Sequence, residues 1–112
     1  MIIYIAGRIT GDRDYEGKFQ GIKRRIEGSG HIVLNPASLP KGMPGEKYMP
    51  ICFAMIDQAD AVFMMEDWEN SKGARIEKSY AEYQKKRIML EINTPKYEDG
   101  GFIIDEERQD KV

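Results

Sequence analysis

MMEDWENSKGARIEKSYA, residues 64–81, runs from an apolar strand end through a polar loop into an amphipathic helix. In α/β proteins, ligands bind where such a loop joins the carboxyl end of a strand to a helix N-terminus. Ser71 or Gly73 can cap this helix, whose first N–H groups favour an anion. Glu77 adds a carboxylate within the first two turns, where it can serve as nucleophile or base. A plain strand-to-helix turn with a solvated acidic loop explains the same residues equally well, so both interpretations stay open here.

On either side of this stretch, apolar runs alternate with helical patterns. The predicted strands are Ile2–Ala6, His31–Leu34, Ala61–Met65 and Arg87–Ile92, and the first two predicted helices are Tyr15–Gly28 and Tyr48–Gln58. Short continuous apolar runs are typical of buried parallel strands. We therefore predict an α/β three-layer sandwich, Rossmann-like or flavodoxin-like, with a four- to five-stranded, mainly parallel sheet. Ile2–Ala6 and Ala61–Met65 should be neighbours in it.

Two helices and one loop carry more specific expectations. Ile76, Tyr80 and Tyr83 should share one apolar face of the third helix, with Glu77 one step round toward its edge. Pro50 fits the first turn of the second helix. Four prolines and two glycines between residues 36 and 50 rule out a long regular element before it. Such a loop can be a lid or specificity segment, or merely variable surface.

Length and composition indicate one domain of ordinary globular type. The chain has 112 residues, a formal net charge of -2 and 32% charged residues. We assign residues 1–92 to the α/β domain and residues 93–112 to a charged tail. Within the tail, Phe102–Ile104 could add an edge strand, dock on a partner or form a terminus that is protected against aggregation.

Charge and residue counts also bound the partners. The near-neutral balance gives no reason to expect a nucleic-acid polymer or a membrane as partner. The single cysteine, Cys52, cannot form a disulfide within the chain, and with the single histidine, His31, it cannot make a zinc site alone. Gly7–Gly11 is neither a dinucleotide fingerprint nor a P-loop. We expect a cytoplasmic protein with no metal and no other cofactor.

The loops after the first and third strands should meet at one edge of the sheet, near a topological switch point. This brings together Gly7, Arg8 and Ile9 from the first loop and Asp67–Gly73 from the third. Arg8 offers a fixed positive charge with forked donors suited to phosphate or carboxylate. A surface ion pair with Asp12 or Glu16 is the alternative for this residue.

A carboxylate and a hydroxyl complete the predicted site. Glu77 supplies the carboxylate, and Tyr4 can point its hydroxyl from the first strand into the crevice, although strand packing alone would explain Tyr4. An anion cradle beside one carboxylate suits a phosphorylated substrate that is attacked or deprotonated next to its phosphate.

Three segments in order, IYIAGRITG from Ile3, ADAVFMM from Ala59 and WENSKGARIEKSYA from Trp68, carry a family resemblance. Over Ile2–Leu90 the chain resembles the nucleoside 2-deoxyribosyltransferase-like superfamily, and most of all its small phage and bacterial branch. That family combines a Y-x-A-G strand, an A-D strand and a Gly-x-x-x-Glu helix start.

The resemblance implies a mechanism and a set of roles. Glu77 would attack the anomeric carbon, the base would leave, and water or a second base would resolve the glycosyl ester. Tyr4 matches the tyrosine that holds the nucleophile, and Ser71 matches a serine that contacts the 5′-phosphate in monophosphate N-glycosidases. With Arg8, this favours a nucleoside 5′-monophosphate as substrate. The implied substrate-binding residues are Gly7, Arg8, Ile9, Trp68, Ser71 and Gly73.

One position departs from the family pattern. Family enzymes often carry an aspartate that assists base departure eight residues before the A-D aspartate, and this chain has Cys52 there. A thiol is a weak donor, and Asp57 and Asp60 are the residues that could compensate. Beside the enzyme, two other functions therefore stay open: a catalytically silent nucleotide-binding protein, such as a sensor or sponge, and a structural α/β module.

The resemblance also implies an assembly, because the family commonly completes its site across a subunit interface. We expect a homodimer or larger homo-oligomer with Tyr80, Tyr83 or Phe102–Ile104 partly buried between chains, since aromatic residues favour interface cores.

Overall fold

A four-stranded parallel sheet forms the centre of the computed structural model, which describes residues 1–106. The strands are β1 (Ile2–Ala6), β2 (Ile32–Leu34), β3 (Ala61–Met64) and β4 (Arg87–Leu90), and the helices are α1 (Tyr15–Glu27), α2 (Gly45–Gln58) and α3 (Lys72–Tyr83). Short 3₁₀ turns cover Pro36–Ser38, Trp68–Asn70 and Glu91–Asn93. Within the described residues, no helix is both long enough and apolar enough to cross a membrane.

The strand order is β2-β1-β3-β4, and each pairing is parallel. Ile3 pairs with Ala61 and Ala6 with Met64, so β1 and β3 are neighbours. The α/β Rossmann-like prediction and the predicted adjacency of these two strands are confirmed.

Alternation along the two central strands separates the core into two apolar layers. On one face, Ile3, Ile5 and Phe63 pack with the buried stripe of α1. That stripe consists of Phe19, Ile22 and Ile26. On the other face, Tyr4, Ala6, Val62 and Met64 pack with Cys52 and Ile56 of α2 and with Ala74 and Ala81 of α3. The tyrosine and the cysteine of the predicted site therefore belong to the same layer.

Two element boundaries differ from the prediction by more than one residue. Helix α2 begins at Gly45 rather than Tyr48, so Pro50 lies inside the helix and not in its first turn. The missing N–H of Pro50 costs little because the carbonyl it would have bonded belongs to the exposed residue Glu46, where water can replace it. Strand β4 ends at Leu90, and Ile92 lies in the following 3₁₀ turn with 79% of its surface exposed.

Helix α3 turns a different face to the sheet than its apolar residues suggest. Ala74, Glu77 and Ala81 are its buried residues, whereas Ile76 is 40% and Tyr83 is 83% exposed. The placement of Glu77 toward the helix edge was therefore wrong. Ala74 and Ala81 let the helix approach the sheet closely. Between these two alanines, the Glu77 carboxylate accepts a hydrogen bond from the Tyr4 hydroxyl of β1.

The tail packs onto the same chain. Phe102 is fully buried, its ring centroid 4.8 Å from that of Phe63 and 4.1 Å from the guanidinium of Arg25. Ser29 Oγ donates to the Phe102 carbonyl at 2.5 Å. The expectation that this segment is buried between chains is wrong for Phe102, because its ring already belongs to the core of its own chain. The rest of the tail, residues 107–112, lies outside the described residues.

Candidate active site

A cavity of about 510 Å³ lies beyond the carboxyl end of β1, between the N-terminal half of α3 and the proline-rich loop. Five of the predicted site residues line it: Gly7, Ile9, Ser71, Gly73 and Glu77. The cavity therefore contains both parts of the predicted site, the helix N-terminus for an anion and the carboxylate of Glu77. Among residues 1–106, no group of three or more His, Cys, Asp or Glu side chains is arranged to hold a metal ion.

Ser71 and Gly73 lie at the end of the cavity where an anion is predicted to bind. Ser71 is the N-cap of α3, and its Oγ accepts a hydrogen bond from the Ala74 N–H at 3.1 Å. The hydroxyl hydrogen can still be donated to a ligand. A Cβ on Gly73 would meet only Met49 Cε at 3.8 Å and Ser71 Oγ at 3.9 Å. The protein itself would accept a side chain there, and the glycine leaves this space open at the positive end of the helix.

Glu77 lies at the buried end of the cavity with 7% of its surface exposed. The hydroxyl of Tyr4, whose side chain is fully buried on β1, donates to Glu77 Oε2. Burial raises the pKa of Glu77 from 4.5 to about 7, while hydrogen bonds from Tyr4 and Cys52 act in the opposite direction. Burial also raises the pKa of Tyr4 well above 10.0, so its hydroxyl stays protonated and continues to donate. Tyr4 therefore orients a carboxylate that titrates near neutral pH.

Cys52 of α2 contacts both of these side chains. Burial raises the pKa of its thiol to about 11, so the thiol is protonated at neutral pH. Neither aspartate that could have compensated lines the cavity. Asp57 Oδ1 accepts from the Tyr80 hydroxyl at 2.6 Å, and Asp60 Oδ2 accepts from the Ile2 N–H at 2.8 Å. The position of the family aspartate is thus occupied by a neutral, weak proton donor.

Arg8 and Trp68 are not brought to the cavity. The Arg8 side chain turns back onto its own loop, where Nε donates to the Thr10 carbonyl at 3.3 Å. The Trp68 ring packs at the edge of the apolar layer under α3, and the Lys78 ammonium lies 5.3 Å from its centroid. In this structure, the phosphate contacts predicted for Arg8 would need its side chain to leave Thr10.

The loops after β1 and β3 are joined by charge and by close packing. Lys18 of α1 pairs with Asp12 at 2.6 Å and with Asp67 at 2.5 Å, and Asp67 Oδ1 accepts from the Arg8 N–H at 3.1 Å. A Cβ on Gly7 would lie 2.8 Å from Met65 Sδ. Only a glycine lets the two loops approach this closely.

The proline-rich loop supplies the cavity wall that sequence reasoning did not identify residue by residue. This wall consists of Pro36, Ala37, Leu39, Pro40, Lys41, Gly42 and Met43, continued by Gly45, Tyr48 and Met49 of α2. The Tyr48 hydroxyl donates to the Pro40 carbonyl at 2.6 Å and accepts from the Met43 N–H at 3.2 Å. The prolines indicate an irregular loop here, but the sequence does not predict the hydrogen bonds of Tyr48 to Pro40 and Met43.

Two solved structures resemble the chain. The CMP N-glycosidase BcmB from Clostridium botulinum has a TM-score of 0.61 and 18% identity, over 80% of this chain and 70% of that one. A 2-deoxyribosyltransferase from Leishmania mexicana has a TM-score of 0.66 and 19% identity, over 94% of this chain and 79% of that one. At these identities the likeness shows the fold alone, and it confirms the α/β fold expected for this chain.

Two sequence comparisons complete the picture. A search of curated proteins gave no match. The sequence model of a family described as a domain of unknown function, DUF4406, matches residues 1–90. That match covers well over half of the 112 residues. The chain therefore belongs to the DUF4406 family.

Proposed function

We propose that this protein cleaves or transfers the N-glycosidic bond of a nucleoside or deoxynucleoside 5′-monophosphate, with Glu77 as the nucleophile. One observation carries the proposal: a buried carboxylate, oriented by Tyr4, shares a cavity with the capped N-terminus of its own helix. Ser71 and Glu77 are six residues apart, which is about 9 Å along the helix axis. That separation suits a sugar phosphate whose phosphate lies at Ser71 while its anomeric carbon faces Glu77.

The chemistry follows the two-step retaining scheme. A carboxylate oxygen of Glu77 bonds to the anomeric carbon as the bond to the base breaks, and water or a second base then resolves the glycosyl ester. The pKa of about 7 keeps a large fraction of Glu77 ionised at neutral pH, as a nucleophile requires. The names of the two similar structures, a CMP N-glycosidase and a 2-deoxyribosyltransferase, support this reaction class.

A catalytically silent nucleotide-binding protein, a sensor or sponge, is the second candidate. Cys52 favours it, because a thiol with a pKa of about 11 is a poor proton donor for a departing base. The fold and the phosphate end of the cavity would serve such a protein equally well.

Base release from a nucleotide panel tests the proposal. Wild-type protein and Glu77→Gln are incubated with ribo- and deoxyribonucleoside 5′-monophosphates, and free base is measured by chromatography. We expect release by the wild type, none by Glu77→Gln, and retained nucleotide binding in both, because the lost interaction belongs to the chemical step. Glu82→Gln, an exposed carboxylate of the same helix, is the matched control.

Two further variants separate binding from chemistry. Ser71→Ala should weaken a 5′-monophosphate about ten-fold more than the matching nucleoside, the effect of one charge-assisted hydrogen bond. Arg8→Ala should have a smaller effect, because the guanidinium bonds to Thr10. Binding without base release by the wild type would favour the silent candidate, and turnover that survives in Glu77→Gln would remove Glu77 from the mechanism.

A further inference from the structure

The part of the cavity beyond the phosphate end has an apolar, polarisable lining. If the phosphate lies at Ser71 and the sugar at Glu77, the base must lie against the proline-rich wall. Its large side chains there are Pro36, Leu39, Pro40, Met43, Tyr48 and Met49. Thioethers and an aromatic ring suit the face of a flat heterocycle, and an aromatic face also attracts a cation.

Glu77 meets this space as a buried carboxylate whose partners are neutral. Its hydrogen-bond donors are the Tyr4 hydroxyl and the Cys52 thiol. Among the described residues that line the cavity, the side-chain cation is Lys41, which pairs with Glu16 at 2.5 Å and is 68% exposed. Buried carboxylates in proteins are normally paired with a positive charge. The cavity therefore suits a ligand that carries this charge.

Of the four other ionisable side chains in the described lining, Tyr15, Lys41, Tyr48 and Cys52, the last three are committed elsewhere or are poor acids. The Tyr48 hydroxyl donates to the Pro40 carbonyl. The hydrogen bond to Glu16, with a smaller effect of Tyr15, raises the pKa of the Lys41 ammonium. The Cys52 thiol has a pKa of about 11. A general acid works best when its pKa lies near the working pH, so this lining suits a base that needs no proton in order to leave.

We propose that the preferred substrate is a 5′-monophosphate whose base already carries a positive charge, such as an N-alkylated purine or a pyridinium. This inference rests on the proposed function. A Glu77 oxygen bonds to C1′ while the C1′–N bond breaks, and the electron pair of that bond returns to the ring and cancels its charge. The base leaves neutral without a proton transfer. Water then hydrolyses the ester, which yields the sugar phosphate, the Glu77 carboxylate and one proton.

The same positive charge also acts on the nucleophile. An opposite charge within a few ångströms favours the ionised form of a carboxyl group. A cationic base beside Glu77 therefore lowers the pKa of that residue from about 7 and increases the fraction ready to attack. A neutral base neither lowers the pKa of Glu77 nor increases its ionised fraction.

Matched nucleotide pairs test the inference. The pairs are N7-methyl-GMP with GMP and N7-methyl-dGMP with dGMP, with nicotinamide mononucleotide as the pyridinium probe and spontaneous release subtracted. General acid catalysis typically contributes roughly a hundred-fold or more, so we expect the methylated member of each pair to exceed its parent in kcat/KM by at least that factor. Nicotinamide mononucleotide should fall in the fast group.

A variant at Cys52 tests the cause. In Cys52→Asp two carboxyl groups share one buried site, which raises the pKa of one of them and provides a proton donor. The parent nucleotides should then gain activity and the ratio within each pair should fall about ten-fold. Cys52→Ser, a neutral residue of similar size, should keep the ratio large. Circular dichroism checks the fold of both variants, and the wild-type pairs decide the question if Cys52→Asp does not fold.

The outcomes separate this inference from the proposed function. Equal release from methylated and parent nucleotides, lost in Glu77→Gln, overturns the inference and leaves the proposed function standing. No release from any probe overturns both. Release from the cationic probes that persists in Glu77→Gln also overturns both, because the bond to C1′ would not involve that carboxylate.

Discussion

Glu77 contributes to the pH dependence of the stability of this protein. Its pKa is about 7 in the folded protein and near 4.5 when exposed, so the folded state holds the proton more tightly. The stabilisation is fully present below about pH 4.5 and is lost as the pH rises through 7. Relative to Glu77→Gln, the wild type should therefore lose up to about 3 kcal/mol of unfolding free energy between pH 4.5 and 8.5.

Urea denaturation at both ends of this pH range measures the difference. Glu82→Gln is the control, because Glu82 is exposed on the same helix and pairs with Lys78 across one turn. It should show the same pH dependence as the wild type. Identical pH dependence of the wild type and Glu77→Gln would contradict the raised pKa of Glu77.

In the proposed mechanism, Tyr4 sets the pH range in which Glu77 can react. In Tyr4→Phe the hydroxyl that favours the ionised carboxylate is gone, so the pKa of Glu77 should rise further. The acid limb of the kcat/KM profile for base release should move up by roughly one pH unit, the effect of one hydrogen bond to a charged group. Tyr83→Phe, at an exposed position on α3, should leave the profile unchanged. An unshifted profile in Tyr4→Phe would exclude Tyr4 from this role.

At the scale of single residues, the sequence predicts where a side chain lies when the backbone fixes its position. It does not predict where a long polar side chain lies when several hydrogen-bond partners are within its reach. Tyr4 on a buried strand and Ser71 at a helix start are of the first kind. Arg8 is of the second, because a carbonyl of its own loop captures its guanidinium. Glu77 was placed too near the helix edge, since an apolar pattern cannot show that a polar side chain is the buried one. Functional sites are where such local rules fail.

At the scale of elements, the close approach of the loops after β1 and β3 depends on Gly7. In Gly7→Ala the new Cβ would lie 2.8 Å from Met65 Sδ and 3.1 Å from Asp67 Oδ1. Overpacking of this kind costs about 1–3 kcal/mol. We expect that loss in chemical denaturation, together with slower base release as the loop carrying Ile9 is displaced from the cavity.

Gly21, in the middle of α1, is the matched control for this substitution. A Cβ there would meet nothing within 4 Å. Gly21→Ala should therefore stabilise the protein by about 0.5–1 kcal/mol, because alanine is the better helix former. A Gly7→Ala variant as stable as the wild type would contradict the close contact between Gly7 and Met65.

The elements themselves were predictable because each apolar run is bounded by a helical pattern or a turn. The start of α2 differs from the prediction because Pro50, which also fits a first turn, is tolerated deeper in the helix at an exposed carbonyl. The proline-rich loop could be recognised but not assigned. Its role as a cavity wall depends on the Tyr48 hydroxyl reaching Pro40 and Met43, and such contacts exist only in the folded chain.

At the scale of the whole molecule, α3 carries an apolar stripe of Ile76, Tyr80 and Tyr83. Ile76 is 40% and Tyr83 is 83% exposed, whereas Tyr80 is partly buried, with its ring centroid 4.0 Å from that of Phe53. The homodimer remains a prediction, and this stripe is the surface we expect it to use. Light scattering at micromolar concentration should give twice the chain mass for the wild type and the chain mass for Tyr83→Lys, because a buried charge is costly at an interface.

Ile92→Lys is the control for that substitution. Ile92 is exposed to a similar degree, 79%, but lies on the turn after β4 and not on the stripe. It should leave the measured mass unchanged. A wild type that is strictly monomeric at micromolar concentration would end the dimer prediction.

The burial of Phe102 has a consequence for how the protein is made. Its ring packs between α1 and the sheet, against Phe63, yet it follows the last strand by a dozen residues. A nascent chain that has emerged only as far as Leu90 contains strands β1–β4 and helices α1–α3 but leaves the apolar layer under α1 open where that ring belongs. Such partly closed cores are the forms that aggregate or recruit chaperones. Completion of this core must therefore wait until Phe102 has left the ribosome, after the whole sheet is already available to fold.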